Sequence, residues 1–153
     1  MNLAGTARAA TIVVRRARAA DIKQLAPLCE QLGYPSSVAE VRARLALIES
    51  APKHILWVAD AGKGKLAGFL NAFVMRTIDT DARVEVAALV VDDAQRSRGV
   101  GKLLIEQVES WARENGCKTI GLRSNVIRER AHKFYERLGY VHYKTQKSFR
   151  KAL

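Results

Sequence analysis

Arg96-Ser97-Arg98-Gly99-Val100-Gly101 lies between an apolar run, Val86 to Val91, and an amphipathic stretch that begins at Val100. Three requirements for holding an anion meet there. Glycine lets an anion approach the main chain closely. A helix start leaves several N–H groups without acceptors and carries the positive end of the helix dipole. Arg96, Arg98 and Lys102 add fixed charge. The chemistry is phosphate binding, but neither standard nucleotide loop fits. The dinucleotide fingerprint needs a third glycine where Leu104 stands, and the Walker loop ends Gly-Lys-Ser/Thr where this chain has Gly101-Lys102-Leu103. What remains is Arg-x-x-Gly-x-Gly at a junction of strand and helix.

A second segment, Arg130-Ala131-His132-Lys133-Phe134-Tyr135-Glu136-Arg137-Leu138-Gly139-Tyr140, carries Ala-x-x-Phe-Tyr-Glu-x-x-Gly-Tyr. The two motifs, in this order, resemble the coenzyme A loop and the closing helix of the GCN5-related N-acetyltransferase (GNAT) superfamily, and the resemblance runs from about Ile12 to Tyr143. It implies an α+β sandwich, with a mostly antiparallel central sheet of six to seven strands flanked by about four helices. It implies acetyl-CoA as cosubstrate and no metal. The backbone of Leu89, Val90 and Val91 would pair with the pantetheine arm, and an N–H near Val90 or Val91 would polarise the thioester carbonyl, an oxyanion-type donor. Arg96, Ser97, Arg98, Gly99, Val100, Gly101 and Lys102 would hold the diphosphate. Asn125, Ala131, Phe134 and Tyr135 would serve the coenzyme from the closing helix, Asn125 alternatively as a helix cap.

Transfer of an acetyl group to an amine needs a proton taken from ammonium and one returned to the leaving thiolate. Tyr135 is the candidate acid, since a phenol with an ordinary pKa of about 10 is protonated at neutral pH. On periodicity alone it is more often a core aromatic, and only the family resemblance raises the catalytic role. Glu85 is the candidate base, on the strand leading to the donor-binding backbone, where simple alternation puts it on the side of Ala87 and Leu89. Many members carry this carboxylate two positions later, where the chain has Ala87. The resemblance implies direct attack by a primary amine without a covalent enzyme intermediate. A small-molecule acceptor is the first reading; a protein acceptor or a non-catalytic acyl-CoA sensor is the alternative. Homodimers are frequent in the family.

These residues must be positioned by the elements around them. Thr11 to Arg15 predicts a first strand. Ala20 to Leu32 predicts a helix capped by Asp21, with Ile22, Leu25, Ala26, Leu28, Cys29 and Leu32 inward. Ser36 or Ser37 caps a second helix through Ile48, with Val38, Val41, Leu45 and Ile48 inward, and Glu40, three residues after Ser37, completes a capping box. His54 to Asp60 and Leu66 to Arg76 pair through the glycine-rich turn 61–65, and Arg83 to Val91 makes the third strand of the meander. A helix from Val100 to Asn115 buries Leu103, Leu104, Val108, Trp111 and Ala112. Lys118 to Arg123 is a strand, Arg128 to Leu138 a helix stopped by Gly139, and Tyr140 to Phe149 one or two closing strands.

With 153 residues the chain suits one domain, 11–153, behind a disordered tail, 1–10. No apolar run approaches the roughly 20 residues of a membrane helix, so no membrane partner is expected. Two cysteines, Cys29 and Cys117, make no disulfide framework and no metal-type cluster with the three histidines, which points to a reducing, cytoplasmic setting. The formal charge of +11 suits a polyanion such as coenzyme A. Nucleic acid is disfavoured, because no recognised module is present and the arginines are scattered.

Overall fold

The meander places the site. In the computed structural model, which describes residues 11–153, β2 (His54–Asp60), β3 (Leu66–Met75) and β4 (Arg83–Val91) pair antiparallel in sequence. β1 (Val13–Arg16) is added antiparallel to β2, and β5 (Ile120–Leu122) parallel to β4, giving the order β1-β2-β3-β4-β5. The first hairpin closes where Ala61 N–H donates to Lys65 O at 2.8 Å. The chain divides into two compact units, one ending at Arg123 and the other running from Ser124 to Leu153. The tail expected over 1–10 lies outside the described residues.

Helices cover both faces of the sheet in the first unit. Opposite residues of paired strands share a face, so Val58, Phe69 and Val90 form one row. On that row pack α1 (Ile22–Gln31) and α2 (Val38–Ser50), through Ile22, Leu25, Leu28, Val41 and Leu45. Trp57, one residue along β2, faces the other way and meets Trp111 of α3 (Val100–Glu114) edge to face at 5.6 Å. Leu70, Leu104, Ile105 and Val108 are fully buried. At about 1.5–3 kcal/mol for each such side chain, this two-sided burial is the main term holding the sheet in place.

Several expectations change in detail. Leu103 is exposed and Ile105 is buried in its place. Ile105 follows the buried Gly101 by four residues and precedes the buried Val108 by three, whereas Leu103 falls off that stripe. Val38 is exposed at the first turn of α2, and Val41 and Leu45 supply its buried contacts. Asp21 precedes α1 but does not cap it. Its carboxylate accepts from Arg15 Nη1 at 2.8 Å, Arg15 Nη2 at 2.9 Å and the Arg18 N–H at 2.9 Å, fastening the short 3₁₀ turn Ala19–Asp21 to β1. The sheet has five strands among the described residues. The closing strands expected over 140–149 are absent, and Val141, Tyr143 and Phe149 are exposed. Within the second unit the helix α4 (Glu129–Arg137) is the sole regular element, and a strand without a paired neighbour has no stability of its own.

Candidate functional site

β4 carries a mid-strand irregularity that no sequence pattern announces. Its pairing with β3 runs Glu85 to Phe73 and Val86 to Ala72, then resumes with Ala88 to Asn71, so Ala87 is a bulge without a partner. The extra residue reverses the alternation beyond it. Glu85 therefore shares a face with Ala88 and Val90, the face of α1 and α2, and not with Leu89 as simple alternation predicts. On its other side β4 pairs with β5 only through Val84, Glu85 and Val86. From Ala87 to Val91 that outer edge has no strand partner among the described residues. An open edge of this kind is a template for an extended chain of amide groups.

The turn after β4 is held firmly at its start and left open at its end. Asp92 N–H donates to Ala67 O at 2.8 Å. The Gln31 side chain at the end of α1 accepts from Asp93 N–H at 3.0 Å and donates to Asp92 Oδ1 at 3.2 Å. Ser97 (φ 66) and Gly99 (φ 75) both adopt the left-handed conformation, which is uncommon for serine and natural for glycine. Gly99 is the residue before the first turn of α3 and supplies no side-chain cap. The first intrahelical bond runs from Leu103 N–H to Gly99 O at 3.1 Å. The amides of Gly99, Val100, Gly101 and Lys102 thus have no acceptor within the helix. A Cβ on Gly99 would meet nothing within 4 Å, so space stands beside those amides.

The cations of the turn rest on neighbours in weak, exposed pairs. Arg96 reaches Asp93 at 2.6 Å, Lys102 reaches Glu106 at 3.7 Å, and Arg98 donates to Gln95. Exposed pairs contribute about 0–1 kcal/mol, so a bound polyanion outcompetes them readily. The residues fit a diphosphate: free amides at a helix start, left-handed backbone that aims them, and three cations alongside.

Glu85 is buried, at 6% exposure. Arg83 Nε stands 3.5 Å from Oε2 and Arg123 Nε 3.3 Å from Oε1. The carboxylate lies over Gly121, where a Cβ would come within 2.6 Å of Oε2. Any side chain at that position of β5 would push the carboxylate from this place. The paired arginines, Arg83 and Arg123, carried no signal in the sequence; they become neighbours only through the parallel register of β4 with β5. Gln31, which anchors the turn, was equally silent.

In the second unit Ala131, Phe134, Tyr135 and Leu138 form the half-buried side of α4, as their spacing predicts. Tyr135 stacks edge to face with Phe134 at 5.2 Å and Tyr140 at 6.0 Å. Burial pushes its phenol above the ordinary tyrosine value, against a smaller opposing effect of Arg128, so the hydroxyl is held protonated. Asn125 closes the turn before α4: its Oδ1 accepts from Ile127 N–H at 3.2 Å, and its carbonyl accepts from Arg128 N–H at 3.0 Å and His132 Nε2 at 2.9 Å. The residue at the cap position of α4 itself is Arg128, which supplies no capping side chain.

A family model described as Acetyltransferase (GNAT) family matches residues 19–140 and so runs through both units. N-acetylaspartate synthetase of Xenopus tropicalis is 34% identical over 91 residues, which are 60% of this chain and 32% of that protein. The chain spans between 28% and 40% of the length of the curated relatives it matches. A GNAT family acetyltransferase of Staphylococcus aureus subsp. aureus USA300_TCH1516 is similar at a TM-score of 0.74 and 25% identity, over 94% of this chain and 99% of the other. The aminoglycoside N-acetyltransferase AAC(6')-Iy, solved in complex with CoA, shares the fold at a TM-score of 0.84 and 22% identity, over 97% of this chain and 99% of its own. Among the described residues no helix is long and apolar enough to cross a membrane. By the extent of the family match and the likeness of fold, the chain belongs to the acetyltransferase (GNAT) family.

Proposed function

We propose that 11–153 act as an acetyl-CoA-dependent N-acetyltransferase domain that acetylates the primary amine of a small molecule by direct attack. The uncapped first turn of α3, opened by the left-handed Gly99 at the end of β4, carries this reading. Gly99, Val100, Gly101 and Lys102 offer amides to the diphosphate, with Arg96, Ser97 and Arg98 around it. The unpaired edge at Leu89, Val90 and Val91 suits the amides of the pantetheine arm, and Asn125, Ala131 and Phe134 are the further residues that the family resemblance assigns to the coenzyme. The acetyl donor supplies an activated thioester carbonyl when bound.

The chain's own groups then manage protons. An alkylamine with a pKa near 10 is almost wholly ammonium at neutral pH; Glu85 takes its proton and leaves a nucleophilic nitrogen. Tyr135, whose phenol is kept protonated by burial, returns a proton to the departing sulfur. Cys117 is buried and takes no part. Small-molecule acceptors are favoured by relatives named for aspartate and aminoglycosides. Free Cys29 and Cys117 fit a reducing cytoplasm, and a homodimer is the assembly the family resemblance implies.

The test is thiol release from acetyl-CoA across a panel of primary amines, with Tyr135→Phe in parallel. Turnover is expected with some amine, and the variant should lose about 10²-fold or more in kcat while its acetyl-CoA affinity stays within about twofold. Coenzyme binding with no turnover over a broad panel would make the chain a sensor instead. Equal kcat for Tyr135→Phe would leave that phenol a packing residue.

A further inference from the structure

The cluster around Glu85 has more recognition chemistry than proton transfer requires. Arg83, Glu85, Gly121 and Arg123 share one face where β4 and β5 lie in register, because alternation puts 83 with 85 and 121 with 123. Arg83 is fully occupied: beyond Glu85 it donates to Thr80 Oγ1 at 3.2 Å and to Met75 Sδ at 2.9 Å. Arg123 is not. Its Nε faces Glu85, its side chain is 74% exposed, and its two terminal nitrogens meet no acceptor among the described residues. It stands one residue beyond the last pairing of β4 with β5, at the mouth of the gap that opens at Ala87. Two guanidiniums against one carboxylate leave one positive charge in excess at that mouth.

We infer that Arg123 binds a carboxylate of the acceptor, so that the acceptor class is an amino acid or other small amino carboxylate; this rests on the acetyl-transfer reading given above. Glu85 Oε1 and Arg123 Nε are 3.3 Å apart, so an anionic and a cationic site lie side by side. A zwitterion whose ammonium and carboxylate are separated by one or two carbons complements that pair, its ammonium toward Glu85 and its carboxylate toward the free fork of Arg123. Guanidinium matches carboxylate in two parallel hydrogen bonds, which lysine cannot reproduce. Phe73, half-buried and directly opposite Glu85 on β3, offers the apolar flank that a short carbon chain needs.

The experiment compares kcat/KM for matched pairs that differ only by the carboxylate, such as glycine with methylamine and a panel of amino acids with their decarboxylated amines. The wild-type protein should favour the carboxylated member of at least one pair by about 10- to 100-fold, as expected for hydrogen bonds to a charged partner. Arg123→Gln should bring that ratio close to one through a raised KM, and Arg123→Lys should give an intermediate ratio. A wild-type preference of one or below across the panel would overturn the inference, with no variant needed, and so would a ratio that Arg123→Gln leaves intact. In either case acetyl transfer to the plain amines would leave the enzymatic reading standing. Absence of turnover with every amine would instead bring down both.

Discussion

α2 and α3 start in opposite ways within one chain, and the contrast separates a helix that closes itself from one that waits for a ligand. At α2, Ser37 Oγ accepts from Glu40 N–H at 3.1 Å while the Glu40 carboxylate accepts from Ser37 N–H at 2.8 Å. The first-turn amides are shared out internally, and the Ser37 amide holds the Glu40 carboxyl below its ordinary range. At α3 the corresponding position is Gly99, left-handed and without a side chain to offer. Helix stability is better served by Ser, Asp or Asn there. A helix that gives up its cap, beside three cations and at the end of a strand with an open edge, keeps its amides for something else.

The largest effect that would break this contrast is expected at Gly99 itself. Gly99→Asp adds a negative charge where a diphosphate is to sit and forces a side chain into left-handed backbone. Acetyl-CoA affinity should fall by about 100-fold in isothermal titration, and Gly99→Ala, which adds strain without charge, by less. Unchanged affinity in the aspartate variant would mean that the open turn of α3 is not the coenzyme cradle, whatever its geometry suggests.

A third helix start sharpens the comparison, since Asp21 stands before α1 with a capping side chain that is turned elsewhere. Its carboxylate serves Arg15, whose own Nε also bonds Asp60 Oδ2 at 2.9 Å. Burial alone would raise the Asp21 pKa, but hydrogen bonds from Arg15 and the Arg18 amide prevail and hold it below the ordinary carboxylate range. Asp21→Asn takes one of its two anions from the half-buried guanidinium of Arg15, which keeps Asp60, at about 1–3 kcal/mol of stability near neutral pH. The sign follows from the depressed value: the stabilisation is present above the unfolded-state pKa of about 3.9 and is lost as pH falls through the folded one. Denaturant titrations of wild type and variant should therefore differ at pH 7 and converge below about pH 4. A difference that persisted in acid would assign the loss to packing and not to the ion pair.

What could be read from the sequence divides along the same line as the helix starts. Local chemistry was legible: the Ser37–Glu40 box, the turn at 61–65, the span of β4 and the glycine opening of α3 all depend on residues within a few positions of one another. Features made by register were not. The run Val84-Glu85-Val86-Ala87-Ala88-Leu89 gives no sign that Ala87 is a bulge, because every neighbour but Glu85 is apolar and the extra residue is set by pairing with β3. That one residue decides which face Glu85 occupies and where β5 parts from β4. Arg83 and Arg123 are 40 positions apart in the chain, and only the parallel register of β4 with β5, together with the bare Cα of Gly121, brings them to one carboxylate. Asp21 misled for a related reason. Its type and position suit a cap, and a long-range arginine claimed it.

The smallest expected effect belongs to the closed helix start and serves as the control for the open one. Ser37→Ala removes the acceptor for the Glu40 amide and leaves the reciprocal carboxylate bond in place. The loss should lower the Tm by about 2–4 °C for a chain of this length. Acetyl-CoA affinity should not move, because Ser37 lies on α2 and the proposed cradle on α3. Equal and opposite behaviour is required of the two helix starts: a stability change without an affinity change at Ser37, and an affinity change exceeding any stability change at Gly99. If Ser37→Ala weakened coenzyme binding as much as Gly99→Asp, the distinction between a capped helix and a ligand-awaiting one would fail. The uncapped turn of α3 would then be a tolerated imperfection of the fold and not a binding site.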